Sequence, residues 1–161
     1  MELCTDLQQI EHEIIELNNR YARILDDDRL EEWPGLFVED CRYAIHPRDN
    51  YKAGLEGYWL YFEGNAMLRD RVKSLRVANL YNIHQDRRIV TGVMLDQAHG
   101  EVYHARSAFL IVQTDVEGRG RFFSAGEYLD KIVATDDGLK FQERLVVPDS
   151  FNMHGLVAVP F

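Results

Sequence analysis

The chain has 161 residues with 18 Lys+Arg against 27 Asp+Glu, a formal charge of −9. At this length folding buries roughly 70% of the extended-chain surface, enough for one core, and the acidic balance excludes the clustered basic face of a nucleic-acid binder. Apolar residues at 46% and aromatics at 11% exclude a disordered tail, and no apolar run reaches the roughly 18 residues of a membrane span. One domain over residues 1–161 is therefore expected. The start Met1-Glu2-Leu3-Cys4-Thr5-Asp6 lacks the basic and apolar regions of a secretory signal, which points to the cytoplasm. Cys4 and Cys41 then read as reduced thiols.

Leu7, Ile10, Ile14, Leu17, Tyr21 and Ile24 recur at steps of three and four, the stripe of one amphipathic helix. Thr5 with Gln8 three residues on predicts a capping-box start. Asp26-Asp27-Asp28 interrupts the pattern, and Leu30, Trp33 and Phe37 give a second short helical segment over 29–37. Cys41 to Ile45 is a strand candidate ending at Pro47, with a turn at Arg48-Asp49-Asn50. The next helix is expected near Gly64 to Leu80, with Leu68, Val72 and Leu75 on one face.

From Arg87 onward four long β-rich stretches are separated by His99-Gly100, by Glu117-Gly118-Arg119-Gly120 and by Asp136-Asp137-Gly138. Glycine accepts the positive φ of tight hairpin turns. In the last stretch Leu139, Phe141, Leu145 and Val147 alternate with Lys140, Gln142, Arg144 and Val146, predicting an apolar and a polar face. Strands this long must twist and curl, with Gly126 a candidate bulge. Helices first and a four-strand meander second give an α+β domain whose curved antiparallel sheet wraps around the N-terminal helices.

Six histidines, His12, His46, His84, His99, His104 and His154, raise the question of a metal. None of them forms an i, i+4 pair, and neither cysteine has a nearby second ligand. His99 and His104 flank a turn and approach only if the hairpin brings them together. Gly-x-Ser-x-Gly is absent, Cys41 lacks a thiolate-stabilising partner, and Gly118-Arg119-Gly120 sits in a hairpin, not between strand and helix. Acid–base chemistry in a conical cavity needs only two or three groups, for which Asp40, His46, Tyr21 and Tyr43 are the candidates. Ordinary roles compete: Tyr21 continues an apolar stripe, and Asp40 reads as a loop carboxylate. Arg69, Arg71, Lys73, Arg76, Arg87 and Arg88 form a local basic excess, a solvated face or an interface. The closing run Leu156 to Phe161 is apolar throughout, so it is tucked against its own sheet or buried in a partner.

Several segments together carry a family likeness: Trp33-Pro34-Gly35-Leu36-Phe37 with Asp40-Cys41-Arg42-Tyr43, Met67 to Val72, Ser124 to Lys131, Gln142 to Ser150, and the Ala158-Val159-Pro160 ending. In order and length they resemble the small (β) subunit of aromatic-ring-hydroxylating Rieske dioxygenases, most closely of the terephthalate dioxygenase and salicylate hydroxylase type. The resemblance implies a cystatin-like, NTF2-like cone. It further implies a structural subunit of an α3β3 assembly, trimeric within the hexamer. In that arrangement the large (α) subunit carries the Rieske [2Fe–2S] cluster and mononuclear iron, and NAD(P)H supplies electrons through a reductase. No catalytic, cofactor-binding or metal residue is implied on this chain. Its sequence is consistent with that division, since Cys4-Thr5-Asp6 and Cys41-Arg42-Tyr43 supply no Cys-x-His pattern and no 2-His-1-carboxylate spacing is found. His154-Gly155-Leu156 departs from the family's usual threonine- and leucine-rich tail. The rival is a stand-alone enzyme of the same cone, a dehydratase, cyclase or isomerase, working through Asp40, His46 and a tyrosine.

Overall fold

The apolar stripe folds as α1, Glu2–Asp26, in the computed structural model, which describes residues 2–78, 83–150 and 157–161, with side chains from residue 7 onward except that of His99. Ile14, Leu17, Tyr21 and Ile24 are buried together, because steps of three and four stay within one stripe of a 3.6-residue helix. Leu7 continues the phase but is 48% exposed, so burial begins at Ile10. The helix already runs through Thr5, which corrects the expected capping-box start. Its other end is closed by Asp28 at φ 56, with the Arg29 N–H reaching the Ile24 carbonyl (2.9 Å) and the Asp28 N–H the Leu25 carbonyl (3.3 Å). This is a Schellman cap in which an aspartate takes the left-handed position usually given to glycine.

A 3-10 helix follows, Leu30–Leu36, burying Leu30, Trp33 and Leu36 because residues three apart eclipse on such a helix. Next come β1 (Phe37–Ile45), a short α2 (Arg48–Ala53) where a turn was expected, β2 (Leu60–Glu63), and α3 (Asn65–Val77). The third helix is shorter than the sequence predicts, and Leu80 lies outside the described residues. Its face is as expected: Leu68, Val72 and Leu75 are buried. The meander is β3 (His84–His99), β4 (Val102–Asp115), β5 (Gly120–Thr135) and β6 (Gly138–Pro148). All three predicted separators fall in its turns.

The sheet order is β2-β1-β6-β5-β4-β3. Neighbours are antiparallel except β1 and β6, which run parallel. α1 hydrogen-bonds to β6 through Asn18 and Arg144 and to the edge strand β3 through Asp26 and Arg88. One helix reaches both strands only if the sheet curls around it. Extra residues supply the bending: Phe123 in β5, where Ile111 and Val112 face Ser124 and Phe122, and Gln142 in β6, where Lys131 and Ile132 face Glu143 and Phe141.

The Gln142 bulge overturns the strict alternation expected for β6. Past it the phase shifts by one residue, so Phe141, Arg144 and Val146 are all buried. Leu145 is only half-buried. Gly126, expected to mark a bulge, sits in regular register opposite Pro148. It is glycine for another reason: a Cβ there would lie 2.2 Å from the Val147 carbonyl oxygen and 2.7 Å from the Pro148 Cα, a close backbone approach.

Candidate functional site

The inside of the curled sheet is lined by side chains of α1, β1, β4, β5 and β6. Arg144 is fully buried there. It holds Asp130 through Nε (2.9 Å) and a terminal nitrogen (2.7 Å), and also donates to Asn18. The guanidinium carbon lies 4.2, 4.1 and 4.0 Å from the ring centres of Tyr21, Tyr128 and Phe141, so three π faces assist one carboxylate in stabilising a charge removed from water. Burial pushes the Asp130 carboxyl up while the Arg144 guanidinium pulls it down. The pair is a fixed charged strut across α1, β5 and β6.

Above it the closing segment enters the cone. Phe161 is 1% exposed, with its ring edge-on to Trp59, Phe109 and Phe123 at centroid distances of 6.5, 6.2 and 5.5 Å. The Tyr21 hydroxyl donates to the main-chain oxygen of Phe161. The Phe161 N–H donates to the Tyr43 hydroxyl (2.9 Å), which lies 3.4 Å from that same oxygen. Burial pushes the phenols of Tyr21, Tyr43 and Tyr128 up, so all three stay protonated at neutral pH. Arg71 donates to the Val157 (2.7 Å) and Ala158 (2.6 Å) carbonyls, and Arg88 to the Pro160 carbonyl (2.6 Å). Burial works against the Arg88 charge, but Asp86 and Asp26 outweigh it.

Of the acid–base candidates, Tyr21 and Tyr43 are together and committed to Phe161. Asp40 is exposed on β1. His46 is buried, but its Nε2 donates to the Leu55 carbonyl (2.8 Å) and its ring lies 4.3 Å from that of Tyr58. It pins the segment between α2 and β2, and an aspartate–histidine pair forms instead at the start of β3, where the partly buried side chains of His84 and Asp86 lie 3.6 Å apart. A groove of about 630 Å³ lies elsewhere, between α1 and the β5–β6 turn, bordered by Glu13, Glu16, Arg20, Arg23 and Asp137; it holds none of these candidates. His104 faces Gln97 and His99 faces Val102, so the hairpin does not set the two histidines opposite each other. Among the described residues no group of three His, Cys, Asp or Glu is placed to hold a metal. Cys41 is buried, and desolvation pushes its thiol up to about 11, the reverse of the thiolate that a cluster requires. Cys4 and His154 lie outside the described side chains.

Of the six basic residues read as a solvated face or an interface, Arg71 and Arg88 turn inward, Arg69, Arg76 and Arg87 pair with carboxylates, and Lys73 is exposed. Arg71 and Arg88 hold the closing segment, Arg69 pairs with Glu39 (2.9 Å), and Arg76 with Asp28 (2.8 Å) and Glu31 (2.7 Å). Val157–Phe161 is likewise tucked into its own cone, while Leu156 lies outside the described residues. Sequence reasoning missed Arg144 and Asp130 because each reads as an outward residue of an amphipathic strand. The signal was the three aromatics that converge on them.

The ring hydroxylating beta subunit family matches residues 20–152. The anthranilate 1,2-dioxygenase small subunit of Burkholderia cepacia is 40% identical over 161 residues, covering 99% of both chains. The chain belongs to the ring-hydroxylating β-subunit family. A terephthalate 1,2-dioxygenase terminal oxygenase β subunit of a Comamonas species is 34% identical over 150 residues, 93% of this chain and 97% of the relative. Among solved structures, a β subunit assigned to an aromatic-ring-hydroxylating dioxygenase of Novosphingobium aromaticivorans superposes with a TM-score of 0.89 at 32% identity, covering 96% of this chain and 99% of its own. A naphthalene 1,2-dioxygenase chain (TM-score 0.77, 18% identity, covering 94% and 86%) shares the fold. So does a protein assigned as a scytalone dehydratase from N. aromaticivorans (TM-score 0.69, 19% identity, covering 94% and 95%). The fold is thus the NTF2-like cone, and the chain is a subunit of an oxidoreductase complex.

Proposed function

We propose that this chain is the structural, non-catalytic small subunit of a Rieske non-haem iron oxygenase that hydroxylates an aromatic acid. The observation that carries this reading is the occupied cone. The interior where a stand-alone enzyme of this fold would place a substrate is filled by the chain's own Phe161, and its two central tyrosines are spent on that contact. The aromatic-acid class follows from the anthranilate and terephthalate relatives. On this reading a large subunit carries the Rieske [2Fe–2S] cluster and the mononuclear iron, and a reductase delivers electrons from NAD(P)H. The chain forms one domain over residues 1–161, assembles as a trimer within an α3β3 hexamer and works in the cytoplasm. A sheet braced by a buried ion pair suits a rigid platform.

The test is to tag the chain in its native host, purify it gently, and measure mass, partner composition and iron. Recovery of an iron–sulfur chain in equal amount is the expected result. Recovery of the chain alone, folded and metal-free at native expression, overturns it.

A further inference from the structure

We propose that the cone interior is a binding site for a small aromatic compound with a carbonyl two or three bonds from the ring, and that the chain occupies it with its own Phe161. The geometry has the parts of a ligand site: apolar walls, and a few convergent polar groups supplied by separate elements. Trp59, Phe109 and Phe123 surround the ring. Tyr21 from α1 and Tyr43 from β1 meet the main-chain oxygen and the N–H of the same residue. The remaining hydrogen bonds described for the segment also come from side chains, Arg71 of α3 and Arg88 of β3. Phe161 is held as a ligand is held, and its neighbours on the chain are held independently.

A second feature points to a ligand. The hydroxyls of Tyr128 and Ser124 are buried without a hydrogen-bond partner among the described residues. Tyr128 adjoins Tyr21, with ring centres 6.0 Å apart. Phe161 uses the site's apolar walls and two hydroxyls but leaves this polar capacity unmet. In the intact chain the tethered Phe161 wins through its effective concentration, which for short tethers is of millimolar order or above.

The experiment uses the chain lacking only Phe161, in which the segment through Pro160 keeps its arginine contacts, and the probe 3-phenylpropanamide, which reproduces the ring and carbonyl of the missing residue. At about 5 mM the probe raises the melting temperature of the shortened chain saturably by about 3 °C or more and leaves the intact chain unmoved. Toluene, a ring without a carbonyl, binds more weakly. Adding Tyr21→Phe and Tyr43→Phe to the shortened chain weakens probe binding about tenfold or more. No thermal shift, an equal shift in the intact chain, or a shift indifferent to the two hydroxyls overturns the proposal. Should the shortened chain be unfolded alone, the probe must restore a cooperative transition, and its failure to do so counts equally against the site.

Discussion

Arg144 shows how much one buried side chain depends on its surroundings. Its charge is tolerable because Asp130, Asn18 and three aromatic faces replace water. Arg144→Met leaves Asp130 buried and unpaired, so urea denaturation is expected to show a loss of about 3–5 kcal/mol. Asp130→Asn in the same chain should recover part of that loss, because the stranded charge is then gone. Arg76 and Glu31 are the surface counterpart. Hydrogen bonding to Arg76 holds the Glu31 carboxyl at about 2, below its ordinary 4.5. A carboxyl depressed in the folded chain adds stability above its unfolded pKa, and that stability is lost as pH falls from about 4.5 toward about 2. Both side chains are well exposed, 62% and 36%, so solvent screening keeps the contribution below about 1 kcal/mol. The stability difference between wild type and Glu31→Gln should be present at pH 7, shrink in high salt and vanish near pH 2.

Elements here are shaped by single departures from periodicity. The extra residue Gln142 turns an amphipathic strand into one that carries an arginine inward, and the extra Phe123 does the corresponding bending in β5. Gly126 permits the end of β6 to press against β5, and a methyl group there meets backbone, which cannot swing aside. Gly126→Ala is therefore expected to cost about 1–3 kcal/mol in a denaturant titration, although alanine is otherwise the better strand residue. Gly100→Ala provides the contrast: nothing lies within 4 Å of its added Cβ, and only its φ of 62 opposes the change.

For the molecule as a whole the decisive contact is between its last residues and its first helix. Phe161 closes the core that α1, β1, β4 and β5 form, so Phe161→Ala should lower stability by about 3–5 kcal/mol. Leu7→Ala, on the exposed end of α1, should change it by less than about 0.5 kcal/mol. If the two substitutions cost the same, Phe161 is not seated as described. A shared architecture leaves function to the site, and here the central tyrosines serve the chain's own backbone.

Much of this was legible along the chain. The α1 stripe, the aspartate-marked helix stop, the face of α3, the four-strand meander and its three turns are local patterns, and local patterns survive because hydrophobic period and turn chemistry act over a few residues. The family likeness was legible too, carried by segments spread over the whole length. Other features depend on distant partners. β2 is four residues long and exists by pairing with β1, and α2 replaces the expected turn after Pro47. The inward phase of Arg144 follows from a bulge set by register against β5. The destination of the apolar ending, with the arginines that hold it, was open in the sequence because an apolar segment is satisfied equally by its own core or by another chain. Tyr21 and Phe161, 140 positions apart, meet only because the sheet curls, and curling is a property of six strands together.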